Sequence, residues 1–209
     1  MNNAERKGLA IAGGIFMILY ILPLLLFSNI PEIIQTGMEE EGFFDVLLSL
    51  LLILLPLAAS VLLILRKPKA AAVMLGIIVV GELISMFLPP SDIVKIIIGT
   101  QEMTVTEMEE HVVTIPRLYV LYPISELFAL LFFSLALFFR GWKAFLLAVL
   151  AISAQILHTI LELNMMQYTT GHPSPLNLVM PFNFICAVLF SGMYLMMLDR
   201  KKDTVLAPD

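Results

Sequence analysis

Four ionisable side chains interrupt otherwise apolar stretches of the sequence, and these are the groups through which the chain could do chemistry. They are Glu82, Glu126, His158 and Glu162. Carboxylates and a neutral imidazole accept hydrogen bonds, so together they could bind a cation or a polar solute, relay protons or ligate a metal. An ionisable group inside a membrane helix costs about 2.5–3.5 kcal/mol on insertion scales, so each predicts a function or a polar partner.

Two stripes of helical spacing contain most of these groups. The first is Ala148, Ala151, Gln155, His158 and Glu162, and the second is Tyr119, Tyr122, Glu126 and Ala129. Residues three or four apart share a helix face, and small residues let a neighbouring helix pack closely. The polar part of each stripe is therefore predicted to line a cavity.

A metal ion is the most specific ligand that these residues suggest. His158 and Glu162 are four residues apart and could provide two ligands from one helix face. Two ligands do not make a metal site, and no second histidine follows on that face. They are weak candidates, so no metal site is predicted, and the sequence identifies neither a cofactor nor a catalytic residue.

The segments that must position these groups are six long apolar runs. Of the 209 residues, 60 % are hydrophobic and 14 % are charged, and the mean hydropathy is +0.97. Soluble domains have about 45–50 % apolar and about 25 % charged residues, so this composition predicts a membrane protein. About 20 apolar residues span a bilayer as a helix. The predicted spans are residues 9–27, 44–65, 70–88, 118–139, 144–163 and 178–198.

The basic residues predict the orientation, because they remain on the cytoplasmic side. Ten of the twelve fall on one side of the predicted spans: Arg6, Lys7, Arg66, Lys67, Lys69, Arg140, Lys143, Arg200, Lys201 and Lys202. Only Lys95 and Arg117 fall on the other side. Both termini are therefore predicted to be cytoplasmic, which requires an even number of spans and agrees with six. We predict an all-α, multi-pass protein of the cell membrane, of the prokaryotic cytoplasmic type, with one domain over residues 1–209.

This orientation places the polar groups at similar depth. At about 1.5 Å per residue, all lie within about 12 Å of the outer ends of their spans. We predict an outward-facing ligand-binding pocket lined by Glu82, Glu126, His158, Glu162, Gln155, Asn183, Tyr119 and Tyr122. The alternative is that these side chains only hydrogen-bond between helices.

The outer connections are long and acidic. Residues 89–117 are too many for a simple connection, so this segment is predicted to act as a lid. Short amphipathic helices are predicted over 92–98 and 104–113, the latter from the capping-box spacing of Thr104 and Glu107. A further short helix is predicted over 31–37.

A face of small residues on the first span predicts close contact with another helix. Ala10, Gly13 and Gly14 form this face. The helix that packs there could come from the same chain or from a partner subunit.

Several classes of protein are excluded. The isoelectric point is about 5.2 and no basic stripe is present, which excludes a nucleic-acid partner. The single Cys186 excludes an internal disulfide.

In layout, the chain resembles the substrate-binding membrane subunits of energy-coupling-factor vitamin uptake systems. The likeness rests on six spans with both ends inside, very short cytoplasmic turns and an outward polar pocket. It implies partner membrane subunits, with a homo-oligomer as the alternative.

We predict a small-solute binding or transport protein, or a transporter subunit, that binds a small cationic or polar solute. Two alternatives are an intramembrane enzyme, such as a metal-dependent hydrolase or transferase acting on a lipid or envelope substrate, and a non-catalytic assembly or sensing subunit. The absence of a convincing nucleophile or set of metal ligands weighs against the enzyme.

Overall fold

The computed structural model describes residues 3–27, 43–87, 102–105, 111–114, 121–169 and 175–203. These ranges contain six helices and one pair of strands. The helices are α1 (Asn3–Phe27), α2 (Phe43–Ile64), α3 (Pro68–Phe87), α4 (Leu121–Phe138), α5 (Trp142–Thr169) and α6 (Leu176–Asp203). The strands, between α3 and α4, are β1 (Glu102–Val105) and β2 (His111–Thr114). Each predicted apolar run overlaps one helix, so the prediction of six long helices is confirmed.

Four of these helices have the length and composition of membrane spans. Within the described ranges the qualifying segments are Ala4–Pro23 in α1, Leu121–Phe138 in α4, Trp142–Asn164 in α5 and Asn177–Leu198 in α6. Large apolar side chains also point away from the bundle: Leu26 is 69 % exposed and Phe182 is 60 % exposed. Apolar surface on this scale is stable against lipid rather than water, and with the four long apolar helices it is compatible with a membrane protein.

The helices form a closed ring in chain order. Each packs against the next along the sequence, and α6 returns to pack against α1. Smaller contacts join α4 and α6 across the ring. There the Phe184 ring meets Phe133, with centroids 5.8 Å apart, and Tyr20, at 5.2 Å. These edge-on aromatic contacts join α1, α4 and α6 at the centre of the bundle.

A tight turn joins α2 to α3. Arg66 adopts a left-handed conformation with φ 59°. The Arg66 N–H donates to the Leu63 carbonyl (2.9 Å) and the Lys67 N–H donates to the Leu62 carbonyl (2.8 Å). This is the Schellman pattern that ends a helix, and Pro68 then begins α3, since proline fits the first turn of a helix. The two helices are therefore antiparallel neighbours.

A second tight turn joins α4 to α5. Gly141 has φ 67°, a conformation that glycine adopts without steric cost. Its N–H donates to the Leu195 carbonyl in α6 at 3.1 Å. The turn is thereby attached to a third helix. Both tight turns lie at the end of the bundle opposite to the start of α4 and the end of α5.

The small-residue face of α1 is occupied by helices of the same chain. A β-carbon at Gly13 would collide with the Ser191 hydroxyl of α6, and one at Gly14 would lie 2.7 Å from the Ser60 carbonyl oxygen of α2. Ala10 is also buried. Of the two predicted possibilities, the structure therefore selects packing within the chain.

The helix predicted over residues 104–113 is wrong. In its place, β1 and β2 form an antiparallel pair in which Glu102 lies opposite Thr114 and Val105 lies opposite His111. The segment contains β-branched residues at Thr104, Val105, Val112, Val113 and Thr114. Such side chains favour strands over helices, which outweighs a capping box defined by two residues alone. The helices predicted over 31–37 and 92–98 lie outside the described residues, and the lid remains a prediction.

Candidate functional site

A cavity of about 200 Å³ lies at the end of the bundle opposite to the tight turns. It is located where α1 and α5 approach their ends and α4 and α6 begin. Its lining residues come from these four helices: Tyr20, Tyr122, Glu126, Gln155, His158, Glu162, Asn177, Met180 and Pro181. The cavity is smaller than the roughly 300–1,000 Å³ of pockets for drug-sized ligands, so it fits a small solute.

Five of the eight predicted site residues meet at this cavity. They are Tyr122, Glu126, Gln155, His158 and Glu162. Glu82 lies on α3, which packs against α4, but it is not part of the lining. The side-chain amide of Asn183 instead donates to the Leu19 carbonyl of α1 at 3.3 Å, so this residue joins two helices. Tyr119 lies outside the described residues.

The side chain of His158, on α5, is held against α4 by a hydrogen bond and a ring contact. Its Nδ1 lies 3.1 Å from the Tyr122 carbonyl oxygen, and its ring stacks on the Tyr122 ring with centroids 4.4 Å apart. A carbonyl oxygen only accepts, so Nδ1 carries the proton. In the neutral ring Nε2 is then an acceptor, and it has no hydrogen-bond partner in the described part of the chain. This nitrogen is available to a ligand.

The Tyr122 carbonyl accepts a second hydrogen bond. The Ser125 hydroxyl of the same helix donates to it at 2.7 Å. Pro123, next in the chain, fits this first turn of α4, because an N–H at the start of a helix has no intrahelical acceptor. The two side-chain donors therefore hold the first turn of α4, which positions Glu126 one turn further on.

Glu162 joins the end of α5 to the start of α6. The Asn177 side-chain amide donates to Oε1 of Glu162 at 2.9 Å. The second carboxylate oxygen has no partner among the described residues. One oxygen therefore holds the wall of the cavity together, and the other can accept a hydrogen bond from a ligand.

Gln155 is the most deeply buried polar residue of the lining. Its side chain is only 4 % exposed, and its amide forms no hydrogen bond with any residue that the structure describes. The amide atoms keep some accessible surface, because they are not among the fully buried side-chain atoms without a hydrogen-bond partner. Since Gln155 lines the cavity, a ligand or water there can bond to this amide.

The cavity is lined by two acidic side chains and by no basic one. Glu126 and Glu162 both line it, whereas no lysine or arginine does. Seven basic residues of the described helices and turns lie towards the tight-turn end: Arg6, Lys7, Arg66, Lys67, Lys69, Arg140 and Lys143. Field lines concentrate in a low-dielectric cleft lined by charge of one sign, so ionised carboxylates in this arrangement would favour cations.

The described residues offer too few ligands for a structural metal centre. Among them, no three His, Cys, Asp or Glu side chains converge on a point where they could hold an ion. His158 and Glu162 thus remain two ligands, whereas a zinc site takes at least three from the protein.

Four lining residues were not predicted from the sequence: Tyr20, Asn177, Met180 and Pro181. Tyr20 lies about 10 Å from the end of the first predicted span at about 1.5 Å per residue, a depth similar to that of the predicted cluster. Asn177 precedes the predicted start of the sixth span by one residue, whereas α6 begins at Leu176. Depth could have suggested both, but nothing in the sequence separates Met180 from ordinary apolar residues.

Together, the four apolar helices long enough to cross a membrane and the polar cavity at one end of the bundle are compatible with a helical membrane protein. The chain matches no protein-family model, no curated protein and no solved structure. The likeness in layout to the vitamin-uptake subunits therefore rests on the sequence alone.

The hydrogen bond from His158 to Tyr122 can be tested with two substitutions. Asparagine places an N–H donor at the position of Nδ1, so His158→Asn should retain the bond, whereas His158→Leu removes it. We expect the leucine variant to be less stable than the asparagine variant by about 1 kcal/mol or less, the usual size of an interhelical hydrogen bond. Thermal unfolding in detergent measures the difference. Equal stability of the two variants would show that the bond contributes nothing.

Proposed function

We propose that this protein spans the membrane six times, with both termini in the cytoplasm, and binds a small cationic solute in an outward-facing cavity. In this proposal it acts as a transport protein or as the solute-binding subunit of a transporter. The observation that carries the proposal is a cavity with two carboxylates, Glu126 and Glu162, and no lysine or arginine in its lining.

The packing of α2 and α3 supports six spans. These helices lie in the same ring as the four helices that qualify as spans by length and composition. A tight turn places them antiparallel, and the basic residues Arg66, Lys67 and Lys69 lie at that turn. Basic residues remain on the cytoplasmic side, so the turn is assigned to the cytoplasm and the cavity to the outer face.

The energetics of buried charge support a cationic ligand. A carboxylate in a low-dielectric site is costly without a cationic partner, and the cavity contains two, of which Glu162 accepts one hydrogen bond from Asn177. Its remaining polar groups include the acceptor nitrogen of His158 and the unbonded amide of Gln155. A positively charged solute would offset one of the two carboxylate charges, and its N–H groups could donate to Nε2 of His158 and to the amide oxygen of Gln155 in the same binding event.

The lining of the cavity is rich in hydrogen-bond acceptors, which suits it to holding a cationic solute. No serine, threonine, cysteine or lysine side chain is present among the residues that line the described cavity. This leaves carboxylate, imidazole and phenol groups, which some enzymes also use as nucleophiles, so the proposal of binding rests on the charge of the lining.

Cysteine labelling tests the orientation. Cys186 is the only cysteine, so Cys186→Ser provides a cysteine-free background. We expect a membrane-impermeant maleimide to label Pro175→Cys, at the cavity end, in intact cells. Trp142→Cys, at the opposite end and at a residue 68 % exposed, should react only after permeabilisation. The reverse pattern, or labelling of both from outside, would contradict the proposed topology.

Thermal unfolding in detergent tests cation binding. The purified protein is heated with the chlorides of sodium, potassium, magnesium, tetramethylammonium and n-butylammonium at equal ionic strength. We expect at least one of these cations to raise the unfolding temperature with saturable dependence on concentration. A ligand at 100 times its Kd adds about 2.7 kcal/mol of stability. If none of the five has this effect, the proposed function fails.

A further inference from the structure

We infer that the cavity selects a small protonated primary amine with a short apolar chain, in preference to an inorganic cation or a quaternary ammonium. This inference rests on the proposed function and specifies its substrate class. It is carried by the combination of aromatic rings, apolar contacts and unpartnered acceptors in a single cavity.

The apolar part of the lining indicates an organic ligand. Besides the carboxylates, the cavity presents the side chains of Tyr20, Tyr122, Met180 and Pro181. A hydrated inorganic ion gains little from such surface, because its water molecules need hydrogen-bond partners on every side. Carbon atoms of an organic ligand instead gain from leaving water for an apolar wall.

Inorganic cations are disfavoured for a second reason. A metal ion stripped of its water needs several oxygen or nitrogen ligands around one point. Within the residues that the structure describes, no three acidic, histidine or cysteine side chains converge in this way, so a bare ion here would have to complete its coordination shell from neutral oxygens such as that of the Gln155 amide. The cavity volume of about 200 Å³ also exceeds what a single bare ion fills.

Two tyrosine rings of the lining are held by their neighbours. The Tyr122 ring stacks on His158, with centroids 4.4 Å apart, and the Tyr20 ring meets the edge of Phe184 at 5.2 Å. Rings fixed in this way lose little freedom when a ligand arrives. A cation within about 6 Å of a tyrosine ring centroid is attracted by its quadrupole, so the two rings favour an ammonium group.

The unpartnered acceptors distinguish a primary ammonium from a quaternary one. Gln155, only 4 % exposed and without a hydrogen bond to any described residue, lines the cavity. Nε2 of His158 and the second carboxylate oxygen of Glu162 are also without partners in the described chain. A primary ammonium has three N–H donors for such acceptors, whereas a tetramethylammonium has none and would leave them unsatisfied.

Four probes test the inference in the unfolding assay: n-butylammonium, tetramethylammonium, sodium and the uncharged n-butanol. The alcohol matches the chain length of the amine, so it controls for partition into the detergent micelle. We expect n-butylammonium to bind about tenfold or more tightly than tetramethylammonium, because the latter cannot donate hydrogen bonds. Sodium and n-butanol should not stabilise the protein saturably.

A pair of substitutions at Tyr20 tests the aromatic contribution. Tyr20→Phe keeps the ring and Tyr20→Leu removes it, while Gln155 and the carboxylates remain in both. We expect the phenylalanine variant to keep its affinity for n-butylammonium and the leucine variant to lose about fivefold. Each variant is compared with its own ligand-free unfolding temperature, so a general loss of stability does not imitate a loss of binding.

The outcomes separate this inference from the proposed function. If sodium or tetramethylammonium binds as tightly as n-butylammonium, the substrate class is wrong while the cation site stands. If n-butanol stabilises the protein as strongly as n-butylammonium while another cation also binds, the substrate class is again wrong and the cation site stands. If no cation stabilises the protein, the proposed function and this inference fall together.

Discussion

Replacing Glu126 with glutamine is expected to weaken cation binding about 30-fold or more, without lowering the stability of the ligand-free protein. Removing one partner of a desolvated charge pair costs about 2 kcal/mol or more, which gives this change in Kd. Glu126 lines the cavity and has no hydrogen-bond or ionic partner among the described residues. In the empty site, therefore, the substitution removes an uncompensated charge and breaks no bond.

This pair of effects identifies a binding role. Replacing a purely structural residue would lower the unfolding temperature of the ligand-free protein. Replacing a residue that binds the cation would reduce only the rise in unfolding temperature that the cation produces. Glu5→Gln is the matched control, because Glu5 is an exposed residue of α1 at the opposite end of the bundle. It removes the same charge and should leave cation binding unchanged. An unchanged Kd in Glu126→Gln would remove this residue from the site.

Replacing Gly14 with alanine is expected to lower the free energy of unfolding by about 1–3 kcal/mol, the usual cost of overpacking. The added β-carbon would lie 2.7 Å from the Ser60 carbonyl oxygen and would also collide with the Ile64 side chain. The carbonyl belongs to the backbone of α2, so it cannot move aside as a flexible side chain would. Relief of the clash requires α1 and α2 to separate.

Gly8→Ala provides the control on the same helix. A β-carbon at Gly8 would meet no atom within 4 Å. Alanine is favoured over glycine by about 1 kcal/mol in a helix interior, so this variant should be at least as stable as the original protein. Thermal unfolding in detergent compares the two. If Gly14→Ala were as stable as Gly8→Ala, α1 and α2 would not be packed as closely as the structure places them.

The sequence predicted part of the cavity because charge stands out in an apolar segment. Glu126, His158 and Glu162 could be recognised one by one, since each is costly in a membrane helix. Helical spacing then added Gln155 and Tyr122, because residues three or four apart share a face. All five line the cavity.

The sequence could not separate the cavity wall from the contacts behind it. Asn183 lies at the same predicted depth as His158, but it faces α1, where it donates to the Leu19 carbonyl. Tyr20 and Met180, in contrast, line the cavity although they were not predicted to. Aromatic and methionine side chains also occur on lipid-facing and buried surfaces, so their residue types did not indicate a site. Depth follows from counting residues, whereas direction depends on how each helix is rotated against its neighbours.

The same distinction applies to the fold as a whole. Apolar runs and basic turns are local properties, so residue order alone was enough to predict the six helices, their approximate bounds and the antiparallel pairs at Arg66 and Gly141. The contact of α6 with α1, which closes the ring and places Gly13 and Gly14 between two helices, emerges only from the folded chain. Which helices meet is decided by the packing of complementary surfaces far apart in the chain. That closure brings Tyr20 to the same cavity as His158 and gathers separate polar residues into one site.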